Sequence, residues 1–505
     1  MTKLQNFTAN FIALSFSAIL MRIASLYFNV YLKSRLGSDG IGLFTLIMSI
    51  YAFAETLACS GISLGVTRLC SEAFERKRED ESAHVMRSAF LYSLFFGSLS
   101  TLLLFSLSPL LSMAVGDQRV TRPLMLLSVM LIPVSLISAL SGYFTARRSA
   151  SKNAVGAIIE QILRISFTIG IFSYLTPSGK EEMCLSVILG SVSATLVSFA
   201  FSFTLYLIDK RKRKNAKRHH RCERMASKLR AVSLPVAISA YFRSGLVTLE
   251  HILIPKGLKK YTKSSAAALS LYGSIHGMAM PVLLFPYALL SPFCSMTVPE
   301  IASKKALDDI EGLSRLSKKA MRITLCFGFA LSGYMILNST LLGRLLYSSE
   351  SVSLYIRYLA PLLPIMYLDT CIDSILKGAG EQLYSMRVNI IDAILSVALV
   401  YFLTPLFGGI GYILSIIICE IINMSLSLTR LFKISSISGK FFFFILIPLL
   451  CTLISSLASN FITSLLPIGK DLTALIISSG IYFAVFALLL ALIGRAQRRL
   501  CPQKA

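Results

Sequence analysis

Arg22 and Arg243 each interrupt a long apolar run. An arginine at the centre of a membrane helix costs on the order of 2.5–3.5 kcal/mol on insertion scales, so a role must compensate for it. Two guanidinium forks at equivalent depths match the oxygens of a diphosphate bidentately. The competing reading is an ion pair inside the protein, and Glu55 and Glu250 are the acids placed for it. Glu250 follows Arg243 by two helical turns, and Glu55 lies in the next apolar run. Either carboxylate would hold an arginine until an anionic ligand replaces it. Glu160 and Arg164 are spaced i, i+4 with the acid first, the favourable order for a pair on one helix, and read first as structural. Asp369 and Asp373 share that spacing but carry like charges, which repel unless one is protonated or a cation lies between them; they are the candidates for H⁺ or Na⁺ coupling. Asp392 and Glu420 are weaker versions of the same idea. His251 and His276 read as hydrogen-bonded packing residues.

These groups need helices in lipid to position them. Of 505 residues, 55% are hydrophobic and 15% charged, with a mean hydropathy of +0.71, far from the roughly 25% charged composition of soluble domains. A soluble globule, a disordered chain and a disulfide scaffold are excluded. The cysteines are never closer than the eleven positions between Cys59 and Cys70, so no CxxC pair offers a zinc or redox site. No GxxxxGK[ST] loop exists for a nucleotide phosphate, and no cofactor is expected. Energy would come from an H⁺ or Na⁺ gradient or the membrane potential. Arg22 inside the first apolar run argues for a spanning helix and against a signal peptide.

A span takes about 20 apolar residues, and fourteen such runs are expected, from 9–32 and 41–64 to 441–465 and 472–494. Transmembrane β-strands are half that length or less. The charge of +25 reads as topology: 35 of the 50 Lys+Arg fall in loops on one side and 11 on the other, which puts both termini in the cytoplasm. Eleven of them crowd into 209–230, an anchor and linker that would also meet anionic membrane lipids. Lys256, Lys259, Lys260 and Lys263 fall on the outer side against the rule. Nucleic acid is not expected as a partner, since no aromatic-basic stripe accompanies the charge.

The chain repeats. The segment 142–164 matches 374–396, with Ile158-Ile159-Glu160 falling on Ile390-Ile391-Asp392 at an offset of 232. A charged amphipathic stretch follows both the second and the eighth span, and Arg22 and Arg243 occupy equivalent helices. The expected organisation is an N-lobe at 1–208, the basic linker at 209–230, a C-lobe at 231–434 and a C-terminal helix pair with its tail at 435–505. Six spans per lobe make the repeats parallel, with a cleft between them, which is the geometry of a transporter. Pro235, Pro281, Pro286, Pro361 and Pro364 interrupt three of the spans, as bending points or packing kinks.

The runs ALSLYGSIHGMAMPVLLFPYALL (268–290), VPEIASKK (298–305), RLGSDGIGLFTLIMSIYAFAETLACSGISLGVTRLCSEA (35–73) and IIEQILRI (158–165) resemble the polysaccharide flippases of the MOP superfamily. The likeness is to their stage V sporulation protein B-like branch, related to MurJ-type lipid II flippases and more distantly to MATE exporters. The resemblance implies an all-α integral membrane protein that moves an undecaprenyl-diphosphate-linked glycan across the cytoplasmic membrane by alternating access, a secondary-type flippase and not an enzyme. It implies that Arg22 and Arg243 take the diphosphate, and it allows cell-wall synthesis enzymes as partners. The alternative is a MATE-like, cation-coupled exporter of small molecules, whose cavity should be net acidic. A membrane enzyme would want paired carboxylates or a metal cluster in an outer loop, and the first outer loop has only Asp39.

Overall fold

The computed structural model describes residues 3–76, 78–177, 179–211, 225–435, 441–465 and 471–500, and all regular elements among them are helical. They run in the order α1 (Lys3–Cys59), α2 (Ile62–Glu75), α3 (Glu79–Val115), α4 (Thr121–Ser128), α5 (Leu131–Ala146), α6 (Ala150–Leu175), α7 (Lys180–Arg211), α8 (Met225–Thr262) and α9 (Ser265–Tyr272). After a π-helical turn at Gly273–Ala279 follow α10 (Met280–Leu284), α11 (Tyr287–Ala306), α12 (Ile310–Leu337), α13 (Ser339–Tyr347), α14 (Glu350–Leu359), α15 (Leu363–Gly378), α16 (Gln382–Ser435), α17 (Phe441–Leu465) and α18 (Asp471–Leu500). In lipid a backbone must satisfy its own hydrogen bonds, and uninterrupted helices do so.

Among the described residues, eleven helices are long and apolar enough to cross a membrane, or twelve if the pair α4 and α5, bent by 47°, is one span. Two of these helices, α1 and α16, are 57 and 54 residues long, and each runs through two of the expected spans with a break of one residue, at Gly37 (φ 74°) and Gly408 (φ 61°). Glycine tolerates this backbone without a steric penalty, so the chain turns without a loop. Of the five noted prolines, Pro235 lies within α8, while Pro281, Pro286, Pro361 and Pro364 lie at helix starts or breaks.

The repeat is visible in the backbone. Left-handed residues end the elements at Gly116 and Ser348, at Arg148 and Gly380, and at Thr176 and Gly408, each pair 232 residues apart. Helix ends keep the same spacing: Val115 with Tyr347, Ala146 with Gly378, and the starts Ala150 with Gln382. The bend between α4 and α5 has its counterpart in the 3₁₀ turn Ala360–Leu362 between α14 and α15.

The described chain forms two compact units that divide elsewhere than the repeat. One holds 1–273 with 400–405, the other 274–399 with 406–505. In the first, α8 packs on α1, α2 and α3, and α9 on α1, so the seventh expected span belongs with the first six. The approach is close: a Cβ on Gly42 would lie 1.9 Å from the Leu269 carbonyl oxygen. Its core gathers Ile62, Val66, Cys70, Met86, Leu140, Tyr143 and Tyr206. In the second unit α17 and α18 pack together and onto α12, where Cys451 and Phe486 meet Ala330. Ser478 donates to Asn338 Oδ1 at 2.6 Å, and Thr452 to the Phe329 carbonyl at 3.1 Å.

Candidate functional site

Helix α1 carries the first unit's site. Its early part is tied to α6: Gln161 Nε2 donates to Ser25 Oγ at 3.4 Å, and Tyr31 meets Phe172 edge to face with centroids 6.2 Å apart. Its later part, and Ser60 in the turn after it, are tied to α8 through the hydroxyls of Thr56 and Ser244 (3.1 Å), those of Ser60 and Tyr241, and Thr248 donating to the Ser49 carbonyl at 3.1 Å. Small hydroxyl residues let two membrane helices approach and hydrogen-bond across the seam.

Arg22 lies one turn before Ser25, and Arg243 directly precedes Ser244. Both side chains are exposed, and among the described residues neither has a hydrogen-bond or ion-pair partner. The competing intraprotein pairs, with Glu55 or Glu250, do not form; Glu250 is half-buried and engaged with another group.

Glu55 instead faces a different cluster. Glu160 Oε1 accepts from Arg164 Nη2 at 2.9 Å and from Thr195 Oγ1 of α7 at 3.1 Å. The charges of Glu160 and Arg164 act on Glu55 and on Tyr51, one turn earlier on the same face of α1. Tyr51 is 2% exposed; its hydroxyl and Arg164 Nε are enclosed without a hydrogen-bond partner. An enclosed donor without a partner costs roughly 1–3 kcal/mol, so the cluster holds unspent donor capacity beside Glu55. Tyr51 and Thr195 are not singled out by the sequence, although the four-residue spacing of Tyr51 and Glu55 signals a shared face.

In the second unit Asp369 and Asp373 part company. Asp373 pairs with Lys377 at 2.5 Å and takes the Ser385 hydroxyl, while Asp369 Oδ2 accepts from Asn423 Nδ2 at 3.0 Å. Asp369 and Asp392 lie within electrostatic reach of Glu420. The i, i+4 order of Asp373 and Lys377 is the legible signal for the first pair. The histidine rings meet tyrosine hydroxyls, His251 with Tyr272 at 3.0 Å and His276 with Tyr412 at 3.1 Å. Among the described residues no group of three or more His, Cys, Asp or Glu is arranged to hold a metal ion.

Ion pairs sort the first unit's loops by end. At one end Lys180 meets Asp39, Arg122 meets Glu181 at 3.7 Å and Arg119 meets Asp117 at 2.6 Å. At the other, Asp209 takes Arg147 at 3.2 Å, Lys152 at 3.8 Å and the Tyr143 hydroxyl at 2.6 Å. Most of the 209–230 stretch (212–224) lies outside the described residues.

Repeated bundles of long apolar helices with charges held inside the spans define a multi-pass membrane protein. The chain belongs to the family described as "Polysaccharide biosynthesis protein", which matches residues 7–303, and the MatE family matches 265–402. It is 22% identical to stage V sporulation protein B of Bacillus subtilis (strain 168), over 99% of this chain and 98% of that one. It is 19% identical to the lipid II flippase MurJ of the same organism, over 80% and 78%. The solved structure of lipid II flippase MurJ in an inward closed conformation superposes with a TM-score of 0.74 at 15% identity, covering 96% of this chain and 99% of that one.

Proposed function

We propose that the chain is a flippase for an undecaprenyl-diphosphate-linked glycan precursor, lipid II or a related polysaccharide unit, crossing the cytoplasmic membrane by alternating access. The observation that carries the reading is the state of Arg22 and Arg243: two guanidinium groups on the first and seventh expected spans, exposed and unpaired among the described residues. A cation kept in a span without an internal partner is available to an anionic ligand, and a diphosphate offers oxygens for both forks. The full-length likeness to stage V sporulation protein B, and the likeness to MurJ over 80% of the chain, support a lipid-linked substrate over a soluble one. Ion coupling at Asp369, with Asp392 and Glu420 behind it, and cytoplasmic termini complete the proposal; Asp373, neutralised by Lys377, contributes less.

The test is flipping of fluorescent lipid II in proteoliposomes by wild type, Arg22→Ala and Arg243→Ala, with the folding of each followed by thermal shift. Transport by wild type that disappears in both folded variants is the expected result. Wild type that leaves lipid II and other polyprenyl-linked glycans in place, yet moves organic cations, would install the MATE-like reading that the MatE match favours.

A further inference from the structure

In the first unit α3 and α7 run antiparallel at the end marked by Asp209, and a groove of about 530 Å³ opens between them. Its walls are graded along the helix axes. His84 and Arg87 of α3 and Lys210 of α7 stand at the rim, and Phe90, Leu91, Phe203 and Leu207 lie one to two turns deeper. All three rim groups are exposed, and among the described residues none has an ion-pair partner. The neighbouring acids are already engaged: Asp209 by Arg147, Lys152 and Tyr143, Glu81 by Arg78 at 2.9 Å, and Asp80 by another group. Below the rim the aromatic wall is fixed by edge-to-face contacts of Phe90 with Phe203 and Tyr206, at 6.1 and 5.7 Å. The apolar surface continues along α3 through Leu91 (63% exposed), Leu94 and Phe95.

A cationic rim above an apolar trough is complementary to a molecule with an anionic head and a hydrocarbon chain. We propose that this groove is a binding site for an anionic phospholipid, its phosphate held by Arg87 and Lys210 with His84 beside them and an acyl chain lying over Leu91 and Leu207. The site is separate from Arg22 and Arg243, and the proposal does not depend on the flipped substrate. A lipid seated there would bridge α3 and α7.

The chain contains no tryptophan, which makes a single introduced indole a local reporter. Full-length Leu91→Trp and Leu207→Trp would be placed in nanodiscs of phosphatidylcholine with a minor fraction of phosphatidylglycerol, either lipid carrying bromine on its acyl chains. Leu457→Trp, on a 71% exposed position of α17, reports bulk lipid. The expected result is quenching at both groove positions by brominated phosphatidylglycerol well above its bulk share, with none of this excess at Leu457→Trp. Adding Arg87→Gln and Lys210→Gln should lower the excess about thirtyfold, as the loss of two basic contacts to an anionic lipid implies. Quenching that follows bulk composition at both groove positions overturns the proposal. So does displacement of the brominated lipid by inorganic phosphate, which would make the rim an ion site, or preferential displacement by undecaprenyl phosphate, which would give the groove to the carrier lipid. The two reporters sit on different helices, so one that fails to fold leaves the other to decide.

Discussion

Arg147 holds Asp209 across the end of the first unit: the two side chains meet at 3.2 Å and are 12% and 13% exposed. The guanidinium also lies over the Phe74 ring at 4.1 Å, so the contact joins α2, α5 and α7. Removing one partner of such a pair leaves a mostly buried charge uncompensated. Asp209→Asn should destabilise the protein by about 3 kcal/mol, and Arg147→Met combined with Asp209→Asn should recover part of that loss. Thermal melting of wild type and the two variants in detergent measures this, and equal melting temperatures for single and double variants would show that the pair carries no coupling.

Arg22→Ala and Arg243→Ala are expected to behave oppositely. Neither side chain has a partner among the described residues, so stability should stay within about 0.5 kcal/mol of wild type. Lipid II flipping should fall tenfold or more, the equivalent of losing a charged hydrogen bond of about 2 kcal/mol. Melting and transport on the same preparations separate the two effects; a large drop in melting temperature would mean that the arginines stabilise the fold.

Two glycines give a matched test of helix contact. Gly42→Ala drives a methyl group into the Leu269 carbonyl and should cost about 1–3 kcal/mol through overpacking. Gly170 lies on the exposed face of α6, where an added methyl group would meet nothing within 4 Å, so Gly170→Ala should stabilise by about 0.5–1 kcal/mol through reduced backbone entropy. Opposite signs in thermal melting are the expected outcome, and a neutral Gly42→Ala would mean that α1 and α9 approach less closely.

The loop after α3 should carry acid sensitivity. Burial alone would raise the Asp117 carboxyl, but hydrogen bonds and charge from Arg119 prevail and hold it below the ordinary carboxylate range. A depressed folded-state value adds stability that is present above the unfolded value of about 3.9 and is lost as the pH falls through the folded one. Wild type should therefore lose melting temperature relative to Asp117→Asn as the pH drops from about 5 towards 3. Parallel curves for the two proteins across that range would remove Asp117 from the account.

Much of this architecture is legible in the residues themselves. Lipid demands long apolar helices whose backbones satisfy themselves, so hydropathy alone locates the spans within a few residues and exposes the charges inside them. The 232-residue repeat read from Glu160 and Asp392 reappears in the left-handed breaks at Arg148 and Gly380, because a helix end is set by local backbone conformation. What needed the tertiary structure was the choice of partners. Glu55, by sequence a candidate partner for Arg22 or Arg243, lies instead beside Glu160 and Arg164, and Asp373 takes Lys377 while Asp369 takes Asn423. Helices apolar nearly all round, such as α1 and α7, give no strong face to read, so the rotation that aims each charge at a neighbour is decided only when the bundle packs. The same packing placed α8 and α9 with the first unit. Those outcomes depend on contacts between distant segments, which the order of residues along the chain does not display.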